Sequence, residues 1–106
     1  MSGDDLVRIL SALGNAQRLR IVAALVPGRN YVSQLARELQ ISRPLLHLHL
    51  QKLEAAGLVM GSLELSPDGK AMKFYEVAPF SIELSPAAIA EAAGTLSKSG
   101  SEAESK

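Results

Sequence analysis

The stretch VSQLARELQISRPLLHLHLQKLEAAGLV, residues 32–59, contains the strongest structural signal in this chain. Apolar residues recur at helical spacing over 34–40 and again over about 43–56, with only two residues between the two segments. This periodicity predicts two helices joined by a tight turn. Ser33 and Ser42 are the residue type expected at their N-caps. A short helix, a tight turn and a longer helix are typical of a helix-turn-helix.

A β-hairpin is predicted directly after this stretch. Apolar, partly alternating runs occupy 58–65 and 71–77, and the sequence SPDGK, 66–70, separates them. Pro, Asp and Gly in such a position favour a tight turn between two strands. A hairpin after a helix-turn-helix gives the winged layout. We therefore predict an α+β, mostly helical fold, a winged helix-turn-helix with a two-stranded β-hairpin wing.

Three more helices are expected around this unit. The apolar spacing predicts helices over 4–13, 16–26 and about 86–97. Residues 1–97 are expected to form a single domain, and the polar segment 98–106 to be a disordered tail. The second helix is expected to bury one apolar stripe, formed by Leu19, Val22, Ala23 and Val26. Ile21 and Leu25 add a second apolar flank, so this helix is expected to be central to the core.

Composition excludes several classes of function. The 106 residues are 47% apolar and include no cysteine, which rules out disulfides, thiolate metal ligands and cysteine nucleophiles. There is no Gly-rich phosphate loop and no locally spaced nucleophile, base and acid, so we predict no catalytic residue, no cofactor and no enzyme activity. No apolar run could cross a bilayer, and the start MSGDDL lacks a basic signal-peptide opening. A cytoplasmic protein with no membrane partner is expected.

The charges are unevenly distributed, although the formal net charge is zero. Residues 1–53 carry seven Arg and Lys against three acids, whereas residues 54–106 carry four against eight. This asymmetry is compatible with one basic face, and chance is the alternative.

Three segments together resemble the ArsR-type winged helix regulators. The family opens with LGNPTRLRILxLL, which residues 12–25, ALGNAQRLRIVAAL, resemble. Its helix-turn-helix pattern, v-x-eLAexLgiSqstvSxHLkxLexAGLV, is similar to residues 32–59. Its wing is similar to residues 69–77, GKAMKFYEV. The resemblance covers roughly residues 8–84. It implies a homodimeric repressor that binds double-stranded DNA, with the helix at about 43–56 in the major groove and the wing on the backbone.

The chain departs from the metal-sensing members that it resembles. Their cysteines lie around the start of the third helix, where this chain has YVSQLAR, 31–37, and their second site uses Asp and His on the last helix, where this chain offers only Glu91. His47 and His49 lie about 200° apart on a helix and cannot share one ion. We predict no metal site.

Candidate DNA contacts lie on the outward face and N-terminal end of the fourth helix and on the wing. Arg43 is suited to guanine, Gln51 to adenine and Leu48 to a thymine methyl group, whereas wing lysines suit phosphates. An ordinary solvated face is the alternative. The residues predicted to bind DNA are Ser42, Arg43, Pro44, Leu45, His47, Leu48, Gln51, Lys52, Lys70 and Lys73.

His49 lies nearer the core edge and is expected to pack or to contact phosphate. One of Arg18 and Arg20 is expected to contact phosphate and the other to form an internal pair.

The first and last helices are predicted to form a two-fold dimer interface. The first helix is apolar on more than one side, and the last is rich in alanine, which allows close helix approach. The predicted interface residues are Leu6, Ile9, Leu10, Leu13, Ile89, Ala93 and Leu96.

A winged-helix module that binds protein instead of DNA is the alternative function. The net charge of zero, the acidic second half and Leu48 favour it. A continuous positive surface along the fourth helix and the wing would favour DNA. The sequence leaves open the operator, the direction of regulation and an effector, whether small molecule or protein.

Overall fold

A computed structural model describes residues 1–97. Its elements, in chain order, are α1 (Gly3–Leu13), α2 (Ala16–Leu25), β1 (Asn30–Tyr31), α3 (Val32–Leu39), α4 (Arg43–Ala55), β2 (Val59–Leu65), β3 (Ala71–Val77) and α5 (Pro86–Ala93). This order confirms the predicted winged helix-turn-helix fold. The predicted tail, 98–106, lies outside the described residues.

Side-chain caps set the start of several helices. The hydroxyl of Ser42 accepts a hydrogen bond from the backbone N–H of Leu45 at 3.3 Å, as predicted for α4. The predicted cap of α3 is wrong. Tyr31 precedes this helix and makes no side-chain cap, and Ser33 lies in its first turn. The reason is that pairing of β1 with the sheet holds Asn30 and Tyr31 extended, so the helix begins immediately afterwards.

The turn between α3 and α4 depends on a left-handed residue. Gln40 has φ 57°, and the next backbone N–H, that of Ile41, donates to the carbonyl of Ala36 at 3.1 Å. Ending a helix in this way satisfies its last carbonyls and redirects the chain sharply. The chain is then extended for only two residues before α4 begins.

The sheet has three antiparallel strands in the order β1-β3-β2. Strands β2 and β3 pair in register from Val59–Val77 to Leu65–Ala71, which confirms the predicted hairpin. Strand β1 adds a third, two-residue strand at the free edge of β3, beside the predicted two-stranded wing. A two-residue strand has no periodicity of its own, so only its pairing with β3 defines it.

The core lies between α2, α3, α4 and the base of the sheet. Leu46, Leu50 and Leu53 are completely buried, as predicted for α4. The stripe predicted for α2 is wrong, because Leu19 and Val26 are more than half exposed, whereas the predicted second flank, Ile21 and Leu25, is the buried side. This helix is apolar on nearly every side, so packing against α4 and β3, rather than spacing, selects the buried pair.

Helix α5 packs against α1. The backbone N–H of Gly3 donates to the Thr95 hydroxyl at 2.7 Å, and Ala92 is buried in the contact. The helix ends at Ala93, earlier than the predicted residue 97, and residues 94–95 form a turn. In residues 1–97 no helix is both long and apolar enough to span a membrane.

Candidate nucleic-acid interface

Helix α4 turns one face to the core and the other to solvent. The side chains at its N-terminal end and along its outer face are exposed. These are Arg43, Pro44, Leu45, His47, Leu48, Gln51 and Lys52, and the preceding Ser42 is also exposed. Every α4 residue predicted to bind DNA is therefore accessible in this chain. Leu48, the apolar residue at the centre of this face, is 59% exposed.

A groove separates α4 from the wing, the hairpin formed by β2 and β3. Arg43 and His47 line it from α4, and Lys73 lines it from β3. The last residue of β1, Tyr31, and the first two residues of α3, Val32 and Ser33, also line it. The structure thus brings together three basic side chains that lie far apart in the sequence, in a concave surface beside the exposed helix face.

Lys73 is held in place by the wing itself. Its ammonium nitrogen lies 5.6 Å from the centre of the Tyr75 ring, and Tyr75 is buried, which raises the pKa of its phenol. Gly61 lies opposite Tyr75 in the hairpin, and a Cβ there would come within 2.9 Å of Lys73 Cε. The absence of a side chain at residue 61 therefore leaves the channel along which the lysine stem runs.

The tip of the wing carries both signs of charge. Lys70 is exposed there, and its backbone N–H and carbonyl are bonded to Ser66 at 3.1 and 2.7 Å. Asp68 lies in the same turn, and the Ser66 hydroxyl that donates to it holds the pKa of its carboxyl below the ordinary value. Asp68 is thus a carboxylate at neutral pH. The predicted DNA-binding residue Lys70 therefore shares its turn with a negative charge.

Another basic residue, Arg29, contacts the opposite face of the wing. Arg29 forms an ion pair with Glu64, and its guanidinium lies 4.4 Å from the centre of the Phe74 ring. Because side chains alternate along strands, Glu64 and Phe74 lie on the face opposite Lys73 and Tyr75. Arg29 contributes to the basic first half of the sequence, yet it does not line the groove beside α4.

A second group of basic residues lies on the other flank of α4. Burial, and then the positive charges of Arg18 and Lys52, lower the pKa of the His49 imidazole. The Nε and Nη1 atoms of Arg18 are buried, and no acceptor for them exists within residues 1–97. Arg20 is different, because it is exposed and donates to Gln17 Oε1 at 2.9 Å. The sequence left open which of the two arginines contacts phosphate and which forms an internal pair.

An apolar groove runs between α1 and α5. Its lining residues are Gly3, Leu6, Val7, Leu10, Ile89, Ala92, Ala93 and Leu96. Five of the seven predicted dimer residues lie in this groove. Ile9 and Leu13 do not, because both turn partly toward the core. Val7, which was not in the predicted set, is 54% exposed there.

No metal centre is visible in the part of the chain that the structure describes. Among residues 1–97, no three side chains of His, Asp or Glu come together in a group that could hold an ion.

A helix-turn-helix with an exposed second helix and an adjoining hairpin defines the winged helix-turn-helix class. Residues 15–60 match the sequence pattern of the bacterial regulatory protein, arsR family. Over 76 residues the chain is 37% identical to an uncharacterized HTH-type transcriptional regulator of Methanocaldococcus jannaschii, covering 72% of this chain and 79% of the relative. The chain belongs to the ArsR family of transcriptional regulators. That family and this relative are regulators rather than enzymes.

Solved structures share the fold. A homodimeric winged helix-turn-helix DNA-binding domain from Mycobacterium bovis superimposes with a TM-score of 0.64 at 28% identity, covering 72% of this chain and 66% of that one. HlyU of Vibrio cholerae gives 0.61 at 27% identity, with coverages of 85% and 83%. An ArsR-like transcriptional regulator from a Rhodococcus species gives 0.61 at 26% identity, with coverages of 95% and 84%.

Proposed function

We propose that this chain is a homodimeric repressor that binds specific sites in double-stranded DNA. In this proposal α4 enters the major groove and the wing, about 58–77, lies on the backbone. The observation that supports it best is the arrangement of α4. Its three inner leucines are fully buried, and its outer face is open beside a groove lined by Arg43, His47 and Lys73.

The proposed DNA contacts of α4 and the wing divide into two roles. Arg43, at the N-terminal end of the helix, is proposed to read a base edge, as are Gln51 and Leu48 on the outer face. Lys52, Lys70 and Lys73 are proposed to contact phosphates, which position the protein without reading sequence. Ser42, Pro44, Leu45 and His47 complete the contact surface.

The apolar groove between α1 and α5 is proposed as the dimer interface. Four side chains of the groove are each at least 39% exposed: Val7, Leu10, Ile89 and Leu96. In a two-fold dimer formed through this groove, they would be buried on both subunits. The matching domain from Mycobacterium bovis is homodimeric. A symmetric dimer should bind a palindromic DNA site whose half-sites are about 34 Å apart. Occupation of such a site near a promoter is the proposed basis of repression.

The test begins with selection of duplexes from a random pool by the purified full chain, and continues with two variants. Arg43→Ala should weaken the selected site by about 1–3 kcal/mol and random DNA much less, because it removes base readout. Lys70→Ala should weaken both duplexes equally and lower the salt dependence of affinity by about one unit per subunit, because one phosphate contact is lost.

Two results would contradict the proposal. An unchanged ratio of specific to random binding in Arg43→Ala would show that α4 does not read bases through this residue. Failure to enrich any site, with neither variant changing affinity, would favour the protein-binding alternative, for which the exposed Leu48 is the central contact.

A further inference from the structure

Strand β2 lies at an open side of the sheet. The strand order is β1-β3-β2, so β3 pairs with one side of β2 and no strand in residues 1–97 pairs with the other. Just outside the two ends of β2, the Leu58 carbonyl accepts a hydrogen bond from the Ala78 N–H, and the Ser66 N–H donates to the Lys70 carbonyl. Because bonded and non-bonded pairs alternate along an antiparallel ladder, the even-numbered residues of β2 bond to β3. The odd-numbered residues therefore point their backbone groups outward.

The outer part of this side is accessible and apolar. Leu63 is 68% exposed and Leu65 is 75% exposed, whereas Val59 is buried at the base of the sheet. Leu63 and Leu65 lie on the same face of the wing, because side chains two residues apart along a strand point the same way. We define residues 61–65 of β2 as the open edge. It presents two exposed leucines together with the outward N–H and C=O groups of residues 61, 63 and 65.

The open edge lacks the features that normally keep edge strands from pairing. Native edge strands carry lysine or proline, contain a bulge, or are very short. Strand β2 has seven residues, includes no Lys, Arg or Pro, and pairs with β3 without a bulge. Its one charged side chain, Glu64, forms an ion pair with Arg29 of the same chain. The open edge therefore suits an added strand that is itself uncharged.

We propose that the open edge pairs with the open edge of a second copy of this chain, antiparallel, about a two-fold axis at Leu63. Two copies related in this way present identical, neutralised edges to each other. Leu63 then lies opposite its counterpart and Gly61 opposite Leu65 of the second copy, so about six hydrogen bonds join the outward backbone groups. Glu64 falls opposite Ser62 of the second copy. An axis at Glu64 is disfavoured, because it would oppose two carboxylates.

This contact is separate from the apolar groove between α1 and α5. The groove is proposed to form the homodimer, and the open edges would join one dimer to another through their wings. A strand pair this short buries little surface, so the contact should be weak between free dimers. Two dimers at adjacent DNA sites are held near each other, which raises the effective concentration of one open edge at the other. Cooperative binding to adjacent sites is the consequence, and this part rests on the proposed function.

A disulfide crosslink tests the pairing, since the chain has no cysteine of its own. Leu63→Cys places a thiol on the proposed axis, where the two Cα atoms would be about 5.5 Å apart, within the range for a disulfide. Leu65→Cys is the matched control, because residue 65 is at least as exposed but its two copies would be about 14 Å apart along the strands. With oxidised glutathione as the oxidant, Leu63→Cys should form the linked pair on non-reducing gels much faster than Leu65→Cys.

Leu63→Pro separates the pairing from the fold of the wing. The N–H that it removes points outward, so the ladder between β2 and β3 stays intact and Tm should change little. Sedimentation of the concentrated wild type should show species larger than the dimer, and Leu63→Pro should show the dimer only. On a duplex with two adjacent selected sites, the wild type should bind cooperatively. Leu63→Pro should fill the two sites independently, with the wild-type affinity for a single site.

The outcomes separate this inference from the proposed function. Equal crosslinking of Leu63→Cys and Leu65→Cys would overturn the inference, and an edge that binds a peptide of another protein would give this result. Specific binding to a single site would leave the function standing in that case. Fast crosslinking of Leu63→Cys without binding to any duplex would support the pairing and overturn the function. A monomeric Leu63→Pro beside a dimeric wild type would also support the pairing, and would overturn the groove as the dimer interface.

Discussion

Replacing Gly3 with alanine should push α1 and α5 apart. The added Cβ would lie 2.3 Å from the carbonyl oxygen of Ala92 and 2.8 Å from two carbons of Leu96. Carbon–oxygen contacts in proteins begin at about 3.3 Å, so relief requires a separation of about 1 Å. The Ala92 carbonyl is also held in place, because it accepts hydrogen bonds from the backbone N–H and the hydroxyl of Thr95.

The expected destabilisation is about 1–3 kcal/mol. Overpacking of this kind costs roughly 1–3 kcal/mol, and the hydrogen bond from Gly3 to Thr95 contributes roughly 1 kcal/mol that the movement would remove. The higher helix propensity of alanine offsets up to about 1 kcal/mol. For a domain of this size, each kcal/mol shifts the melting temperature by about 4–8 °C, so Tm should fall by roughly 5–20 °C. The same movement distorts the apolar groove, so dimerisation should weaken.

Thermal unfolding followed by circular dichroism, together with sedimentation velocity, measures both effects. Gly94→Ala is the matched control, because a Cβ there would have its nearest neighbour, the Glu91 carbonyl, at 3.4 Å. That variant should melt at the wild-type temperature or slightly above it, since alanine restricts the unfolded chain. A Gly3→Ala protein with wild-type Tm and wild-type dimer mass would refute the close packing of α1 on α5.

Three further predictions follow from local features. Gln40→Gly should stabilise the fold by up to about 1 kcal/mol in urea denaturation, because residue 40 is left-handed and glycine adopts that conformation without steric cost. Asp68→Asn should strengthen binding to random and selected duplexes alike in anisotropy titrations, since it removes a carboxylate at the wing tip. In a Tyr31→Phe variant, absorbance titration should place the remaining phenol, Tyr75, above pKa 10, and stability should fall as pH rises above about 10, where only the unfolded chain has lost this proton.

Strong local signals explain why most of the fold could be predicted from the sequence. Leu46, Leu50 and Leu53 follow a single helical stripe, and the Pro-Asp-Gly turn lies between two apolar runs, so α4 and the wing follow from spacing alone. The stripe of α2 could not be predicted in the same way, because its apolar residues surround the helix. Ile21 is buried because of the elements that pack against its side of the helix.

Only the part of the candidate site that lies on a single helix or strand could be predicted from the sequence. The exposed face of α4 follows from its period, but the groove that joins Arg43 to Lys73 requires the wing to fold back beside the helix. The charge of Arg18 acts on His49 only because α2 packs on α4. No spacing rule relates residues in two different elements, so their proximity had to come from the structure.

The distribution of charge in the fold explains how a chain with zero net charge can present a basic surface. Within residues 1–97, the ion pairs Arg8–Asp5 and Arg29–Glu64 occupy α1 and the outer face of the wing, and neither includes a residue of α4. The basic side chains on both flanks of α4 therefore keep their charge available. Because salt screens exposed charges beyond about 10 Å at 0.1 M, a DNA phosphate that bound against α4 as proposed would respond to these neighbouring groups far more than to acids elsewhere on the chain. Under the proposed function, the affinity for DNA should therefore follow the local charge beside α4 rather than the total for the chain.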